Sequence, residues 1–341
     1  MKIAVDAMGG DHAPREIIIG ALQAAAEYGL EIILVGDEAR INAELAAHNA
    51  GGVTVVHATE VISMGEHPAI AVRRKKNSSI VRATRLVKEG EADAVVSAGS
   101  TGAAMASALL NLGRIKGIDR PAIAGVLPNE KGYTVLLDVG ANVDCKPQHL
   151  LQFGIMGYQY SSKILGNADP RVGLLSNGEE DTKGNETTLA ALPLLRGAGI
   201  NFIGNVEGRD IFEGTADVVV CDGFAGNVVL KAGEGMARML LKMMKEEISK
   251  SLLAQMGTLL AGPALKCLQK RLDYAEYGGA PLLGVNGVSV ICHGSSKAKA
   301  VKNAIRVARE SVDNRLVNAI SLNIESIKTR GGCGNLAEGI D

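Results

Sequence analysis

Glycine-rich segments with polar side chains follow six strand-like runs of this sequence. They are DAMGGDHAP (6–14), SAGSTGA (97–103), DVGANVD (138–144), SNGEEDTKGN (176–185), CDGFAGN (221–227) and CHGSS (292–296). Glycine lets backbone amides converge on one point without side-chain obstruction, and a helix that follows adds the positive end of its dipole. Any one such turn is an ordinary connection. Six of them, carrying Asp, Asn, Ser, Lys and His side chains, predict that the protein binds an anion.

The segment SAGSTGA is the clearest of these candidate anion sites. The apolar run ADAVV before it predicts a buried strand, and the Ala-rich run after it predicts a helix. Gly99, Ser100, Thr101 and Gly102 would therefore place backbone N–H groups and two hydroxyls at a helix start. Such a nest favours a phosphate group.

Several familiar catalytic patterns are absent from the sequence. There is no GxxxxGK(S/T) phosphate loop and no GxSxG nucleophile elbow. Cys292 and His293 are neighbours, so on a strand they face opposite ways and do not easily form a Cys–His pair. No spacing typical of a zinc site occurs, and we predict neither a metal nor an organic cofactor. Covalent catalysis is therefore disfavoured.

Composition and charge describe a globular protein without a strong overall field. The chain has 341 residues, is 47% hydrophobic, and carries 36 basic and 37 acidic residues for a net charge of −1. That balance excludes a global attraction to nucleic acid or to an anionic membrane. Five cysteines without CxxC spacing and an N-terminus without an export-signal pattern predict a cytoplasmic protein. The uncharged apolar run at residues 251–265 is too short to cross a bilayer.

The elements that must position these residues alternate along most of the chain. Val-, Ile- and Leu-rich runs such as KIAVDA and EIILVG predict strands, and runs such as REIIIGALQAAAEYG predict helices. This alternation is typical of an α/β fold whose mostly parallel sheet is covered by helices on both faces. We expect residues 1–341 to form a single integrated domain, with ligands at the carboxyl ends of strands.

The region 230–276 interrupts this alternation, because it holds no convincing strand. It predicts two helices, joined near Gly257 to Pro263, that form a hairpin projecting from the sheet. Such a hairpin can pair with its twin in a homodimer. Its apolar segment LLAQMGTLLAGPAL has lysines on either side, so it could also lie in a membrane interface.

Seven segments, taken together and in order, resemble one known family. They are VDAMGGDHAP, HPAIAVRRKKNSSI, SAGSTGA, LLDVGANVDC, LLSNGEEDTKGN, DVVVCDGFAGNVVLK and GVSVICHGSS. From Met1 to about Ile327 the chain resembles the bacterial phosphate acyltransferases of phospholipid synthesis, the PlsX family. The resemblance implies a three-layer α/β/α fold similar to isocitrate and isopropylmalate dehydrogenases.

The resemblance also implies an activity and its partners. A long-chain fatty acyl group would move from acyl carrier protein to inorganic phosphate, and the acyl phosphate would then feed acylation of glycerol 3-phosphate. The implied partners are acyl carrier protein, a second copy in a homodimer, the cytoplasmic membrane as a peripheral contact, and the glycerol-3-phosphate acyltransferase. No nucleic acid is implied.

Attack by phosphate needs positioning and an oxyanion donor rather than an activated residue of the enzyme. Lys183 is our first candidate for a charge that meets phosphate or the oxyanion, and a solvated loop lysine beside Glu179 and Glu180 is the alternative. Helix capping is the alternative role for Asp222 and Asn227. The candidate catalytic residues are Lys183, His12, Asn185, Asp222, Asn227 and Lys231.

Candidate substrate-binding residues come from the same strand ends and from one basic run. They are Gly9, Gly10, Asp11, Gly99, Ser100, Thr101, Gly102, Asp138, Asn142, Arg73 and Lys76. His12 could donate to phosphate or to the carbonyl, or have only a structural role. Asp138 and Asn142 could orient the site or only form a turn. Arg73 and Lys76 belong to a basic run that offers a dock for an acidic carrier protein or presents an ordinary solvated face.

Three rival functions stay open at this point. One is a short-chain phosphotransacetylase that uses coenzyme A, and another is a decarboxylating dehydrogenase on the same fold. The dehydrogenase needs carboxylates for a divalent metal and arginines for its diacid, and neither set can be assembled from the sequence. The third rival is a non-catalytic scaffold that binds acyl carrier protein.

Overall fold

The computed structural model describes residues 1–48 and 52–329, so the end of the expected domain, with Cys333, lies outside the described residues. Within that range eleven strands form one sheet. They are β1 (Lys2–Asp6), β2 (Glu31–Gly36), β3 (Val53–His57), β4 (Ala94–Ser97), β5 (Ala122–Asn129), β6 (Gly132–Leu137), β7 (Val172–Leu175), β8 (Phe202–Val206), β9 (Val218–Val220), β10 (Ala280–Leu283) and β11 (Val288–Ile291).

The strand order divides this sheet into two parallel halves. The order is β3-β2-β1-β4-β11-β10-β5-β6-β9-β7-β8. In the first half, β3, β2, β1, β4 and β11 are parallel to one another. In the second half, β6, β9, β7 and β8 are parallel to one another. Between them, β10 and β5 are antiparallel to each of their neighbours. The two parallel halves therefore run in opposite directions, and the prediction of a mostly parallel α/β sheet is confirmed.

Helices cover both faces of the sheet. They are α1 (Arg15–Tyr28), α2 (Glu38–Leu45), α3 (Pro68–Arg74), α4 (Ser79–Lys88), α5 (Thr101–Asn111), α6 (Pro147–Ile164), α7 (Glu186–Arg196), α8 (Asp210–Glu213), α9 (Gly223–Ser249), α10 (Leu252–Leu272), α11 (Tyr274–Tyr277), α12 (Ala298–Asp313) and α13 (Leu316–Thr329). In β1, Ile3 and Val5 pack in a buried cluster with α1 and α12, whereas Ala4 packs with α4 and α5 on the other face. This alternation is the period-two pattern of a strand buried on both sides.

The helical hairpin is present, but the predicted position of its turn is wrong. Helix α9 ends at Ser249, α10 begins at Leu252, and the Ser251 hydroxyl accepts from the Ala254 N–H at 3.4 Å. Gly257 and Pro263 lie inside α10. Serine is a strong helix-start signal, whereas an internal Gly or Pro weakens a helix without always ending it. Among the described helices, none has the length and the low charge needed to span a bilayer.

Strand β10 was not predicted from the sequence. Its sequence, APLL, is too short to give a clear strand pattern, and it contains Pro281, which cannot donate a ladder hydrogen bond. Only pairing with β11 and β5, strands far away along the chain, makes this segment a strand. Its place between the two halves decides where the strand ends meet.

Candidate active site

The carboxyl ends of the two opposed halves meet beside β10 and β5. Ala280 in β10 pairs with Ile291, the last residue of β11. Ala124 in β5 pairs with Leu137, the last residue of β6. Strands β10 and β5 pair with each other only at Leu282–Leu283. The sheet therefore opens between β11 and β5, and the ends of both halves face this opening.

A cavity of about 410 Å³ occupies the opening. Thr101, His293 and Ser296 line it from the first half, and Asn227 and Lys231 line it from the second half. Part of β5 and the segment from Tyr277 to Ala280 complete its wall. Pockets with a few convergent polar groups at the carboxyl ends of strands are typical ligand sites in α/β proteins. We call this space the central cavity.

In the first half, three glycine-containing loops are packed backbone against backbone. A β-carbon at Gly9 would lie 2.6 Å from Asp6 Oδ2 and 2.7 Å from the Gly99 nitrogen, so only glycine fits there. Gly10 has a φ of 106°, which also favours glycine. The Asp11 N–H donates to the Gly294 carbonyl at 2.8 Å. The predicted loops 6–14, 97–103 and 292–296 are therefore neighbours in space.

Asp6 lies beneath these loops, and the sequence analysis missed it. Its side chain is 2% exposed and accepts a 2.7 Å hydrogen bond from the Ser97 hydroxyl. Ser97 Oγ in turn accepts from the Gly99 N–H at 3.1 Å. Burial raises the pKa of the Asp6 carboxyl, while hydrogen bonds from Ser79 and Ser97 hold it down. Asp6 thus couples the end of β1 to the loop that precedes α5.

In the second half, Asp138 organises the loop after β6. Its carboxylate is fully buried and accepts from the backbone N–H groups of Ile123, Ala141 and Asn142 at 3.0, 3.1 and 2.6 Å. The Asn142 amide nitrogen also donates to it, at 3.0 Å. Burial raises the pKa of Asp138, and these donors lower it. With both oxygens engaged, Asp138 holds the turn, as its turn-forming interpretation anticipated.

Helix α9 carries two of the predicted residues into the central cavity. Asp222 caps this helix, because its side chain accepts from the Ala225 N–H at 2.8 Å. Asn227 and Lys231 follow one turn apart and both line the cavity. Lys231 Nζ lies 3.0 Å from the carboxylate of Glu234, which also lines the cavity. An ammonium held in this way is available to an incoming anion at little cost in side-chain order.

Lys183 and Asn185 lie in the loop after β7, in the second half. Asn185 caps α7 through a capping box with Thr188, at 2.9 Å in each direction. The Lys183 carbonyl accepts from the Asn205 side chain at 3.4 Å, and its side-chain stem lies against Gly178. Neither residue is among those that line the central cavity. The role of Lys183 stays a prediction, and the geometry favours Lys231 as the cation of the site.

His293 lines the central cavity and was not among the candidate residues predicted from the sequence. Its Nδ1 accepts from the Ser295 N–H at 3.3 Å and lies 2.8 Å from the Ser295 hydroxyl. In the neutral ring the proton is therefore on Nε2. Cys292, its neighbour, is 4% exposed, and burial raises the pKa of that thiol to about 12. The position of His293 in a glycine-rich strand end was a usable signal, which we applied only to a Cys–His pair.

The remaining predicted residues are not among those that line the central cavity. His12 and Asp11 are exposed at the start of the first loop. A β-carbon at Gly102 would lie 2.6 Å from Pro68, so α3 begins beside the helix start that Thr101 opens. Arg73 and Lys76 are exposed at the other end of α3. The basic residues therefore lie at the end of α3 that points away from this contact. Within residues 1–48 and 52–329, no three His, Cys, Asp or Glu side chains are grouped to hold a metal ion.

The chain is similar to known proteins over most of its length. A family model described as "Fatty acid synthesis protein" matches residues 1–319. The chain is 74% identical over 342 residues to a phosphate acyltransferase from Pelotomaculum thermopropionicum, covering 100% of both chains. It is 62% identical to a phosphate acyltransferase from Heliobacterium modesticaldum, over 95% of this chain and 98% of that one. A solved phosphotransacetylase from Streptococcus pyogenes has a TM-score of 0.64 at 18% identity, over 92% of this chain and 94% of that one. At that identity the likeness shows a shared fold alone.

Proposed function

Since the chain belongs to the fatty acid synthesis protein family, as one of its phosphate acyltransferases, we propose that it moves a fatty acyl group from acyl carrier protein to inorganic phosphate. A phosphate oxygen forms a bond to the thioester carbonyl carbon, and the carbon–sulfur bond then breaks. The products are an acyl phosphate and the free thiol of the carrier. No bond to the enzyme forms in this sequence.

The observation that supports this reaction best is the set of donors converging on the central cavity. Lys231, Thr101 and His293 follow different strands and line one space. Preorganised donors of this kind stabilise an oxyanion in the transition state, and each typically contributes about 10²–10³ in rate. Holding phosphate beside the carbonyl contributes further by removing the entropy cost of their encounter.

Three of the four described cysteines, Cys145, Cys221 and Cys292, are poor nucleophiles, which favours direct attack by phosphate. Burial raises the pKa of Cys292 and of Cys145 to about 12. Cys221 is fully buried, and its pKa is raised as well. A thiol reacts as its thiolate, so these groups are almost wholly unreactive near neutral pH. The leaving thiolate of the carrier has an ordinary pKa and needs no strong acid.

The proposed reaction is tested with purified protein, palmitoyl-acyl carrier protein and phosphate. Free thiol should appear together with an equal amount of acyl phosphate, trapped as a hydroxamate with hydroxylamine. Sulfate in place of phosphate is the control, and it should give neither product. Thiol release at the same rate without phosphate would show a thioesterase instead and contradict the proposal.

Replacing Cys292 with Ala should leave acyl transfer within about twofold of the unchanged protein, because its thiol is buried and protonated. Steady-state rates at pH 7 check this, and mass spectrometry of the protein during turnover checks for a covalent acyl group. Cys145→Ala, at a half-buried cysteine that lines neither cavity, is the matched control. A loss of a hundredfold in C292A alone, or an acylated protein in the unchanged chain, would contradict direct phosphate attack.

Two surfaces support the proposed protein partners. Arg73, Arg74 and Lys76 are exposed at the last turn of α3 and just beyond it, and they form a basic surface on which an acidic carrier protein can dock. Along α9, Met236, Leu240 and Met244 form an exposed apolar stripe, which fits contact with a second copy in a homodimer. The acyl phosphate would pass to the glycerol-3-phosphate acyltransferase.

The end of the hairpin supports peripheral contact with a membrane. Leu252, Leu253, Leu259 and Leu260 are between 79% and 87% exposed. Each Leu that enters an apolar phase contributes about 1.5–3 kcal/mol, so changing all four to Gln should lower vesicle binding at least tenfold. Cosedimentation with phosphatidylglycerol-rich vesicles measures this, and acyl transfer in solution should be retained. Leu322→Gln, at an exposed leucine on α13, is the control. Unchanged sedimentation of the fourfold variant would refute membrane contact through the hairpin.

A short-chain phosphotransacetylase is the second candidate, favoured by the fold shared with the Streptococcus pyogenes enzyme. Both reactions transfer an acyl group to phosphate, so the donor decides between them. Acetyl-coenzyme A and palmitoyl-acyl carrier protein are compared at equal concentration. A higher kcat/KM for acetyl-coenzyme A would replace the main proposal with this one.

A further inference from the structure

A second cavity, of about 290 Å³, adjoins the central cavity. Val126 of β5 and Tyr277 at the end of α11 line both spaces. The other walls of the second cavity come from the end of α6, the last turn of α10, and α12. The two cavities therefore share a wall, formed by Val126 and Tyr277.

Two cations in the second cavity have no ion-pair partner among the described residues. Lys270 and Arg271 both line it, and Arg271 donates only to the carbonyl of Asn129, at 3.1 Å. The third cation, Arg306, is held by Glu310 in two hydrogen bonds of 2.9 and 3.0 Å. The remaining carboxylate, Glu276, pairs with Lys299 at 2.8 Å. The cavity therefore has an excess of positive charge at its α10 side and is suited to an anionic group.

A buried hydroxyl on the opposite wall also lacks a partner. Tyr160 is 1% exposed and lines the second cavity, and within residues 1–48 and 52–329 its hydroxyl makes no hydrogen bond to the protein. The oxygen is not one of the fully buried side-chain atoms that lack a partner among the described residues, so it is open to the cavity, where a polar group of a ligand can bond to it. Ile164 and Leu165 add apolar surface next to it.

We propose that the second cavity binds the phosphopantetheine arm that carries the acyl thioester. This inference rests on the proposed function. Lys270 and Arg271 meet the phosphate of the arm, Tyr160 bonds to one of its amides, and Ile164 and Leu165 contact its methyl groups. The thioester end then passes Val126 and Tyr277 into the central cavity. Both acyl carrier protein and coenzyme A present this arm, so the site recognises a chemistry that the two donors share.

The test uses thioethers, which cannot react and so report binding whether or not acyl transfer occurs. S-Octyl-phosphopantetheine and S-octyl-pantetheine differ only in the phosphate, and calorimetry measures both affinities. The phosphate should strengthen binding about tenfold or more, because a charge-assisted hydrogen bond contributes about 1.5–3 kcal/mol. In Lys270→Ala that advantage should fall about tenfold, while the affinity for S-octyl-pantetheine stays unchanged. S-Octyl-coenzyme A and S-octyl-acyl carrier protein then show which source of the arm binds more tightly.

Two further variants separate a ligand contact from a structural effect. Tyr160→Phe removes only the hydroxyl and should weaken both thioethers about equally, since both contain the amides. Lys250→Ala changes an exposed lysine of the same hairpin, paired with Glu247, and should change neither affinity. Equal affinity of the unchanged protein for both thioethers would overturn the inference, as would an undiminished phosphate advantage in K270A. Failure of phosphate-dependent acyl transfer with intact thioether binding would instead remove the proposed reaction alone.

Discussion

Lys231→Ala is expected to lower kcat/KM for phosphate by about 10²–10³, the typical effect of removing one transition-state donor. The ammonium of Lys231 is held 3.0 Å from Glu234 and lines the central cavity. It is the cation best placed among the described residues to meet an anion in that cavity. Rates at varied phosphate and saturating acyl donor measure the loss, and the KM for the donor should change little. Lys231→Arg keeps the charge and should recover part of the activity.

Two other lysines make this expectation specific. Lys242 lies farther along α9, exposed and close to Glu246, so Lys242→Ala should have no effect. Lys183 was the first candidate from the sequence, and Lys183→Ala decides whether Lys183 or Lys231 meets the phosphate. A full loss in K183A with normal phosphate kinetics in K231A would transfer the role to the loop after β7. Equal losses in K183A and K231A would show that both lysines act on one phosphate.

Asp138→Ala is expected to lower the free energy of unfolding by about 3–5 kcal/mol, because each buried donor left unpaired costs about 1–3 kcal/mol. The carboxylate is fully buried and accepts from the N–H groups of Ile123, Ala141 and Asn142. Urea denaturation of the unchanged chain and the variant measures the difference, and acyl transfer should fall with the loss of the turn.

Asp144 provides the matched control, since it is an exposed acid in the same loop. Asp144→Ala should change the unfolding free energy by about 0.5 kcal/mol or less, as surface substitutions usually do. A D138A protein as stable as the D144A protein would mean that the loop satisfies its amides in another way. Activity lost in D138A without loss of stability would assign Asp138 a direct role in the reaction.

Local sequence patterns were enough to predict most of the helices and strands. Val- and Ile-rich runs bounded by glycine identified ten of the strands, because a buried parallel strand has little choice of residue type. Seven motifs in order identified the family, and the absence of a strand in 230–276 identified the hairpin. The missed β10 and the misplaced turn of the hairpin are the exceptions. A four-residue segment containing Pro281 becomes a strand only through its partners, and the start of α10 is decided by the capping residue Ser251.

The composition of the site was decided by the tertiary structure. Thr101, Lys231 and His293 follow different strands, and their sequence segments looked equally suited to bind an anion as those of Lys183 and His12. The strand order, with β10 between the two halves of the sheet, brings Thr101, Lys231 and His293 to one cavity. These depend on pairing between strands far apart along the chain, such as β4 with β11. A local pattern shows that a loop can bind a charge, but only long-range packing determines which loops face the same space.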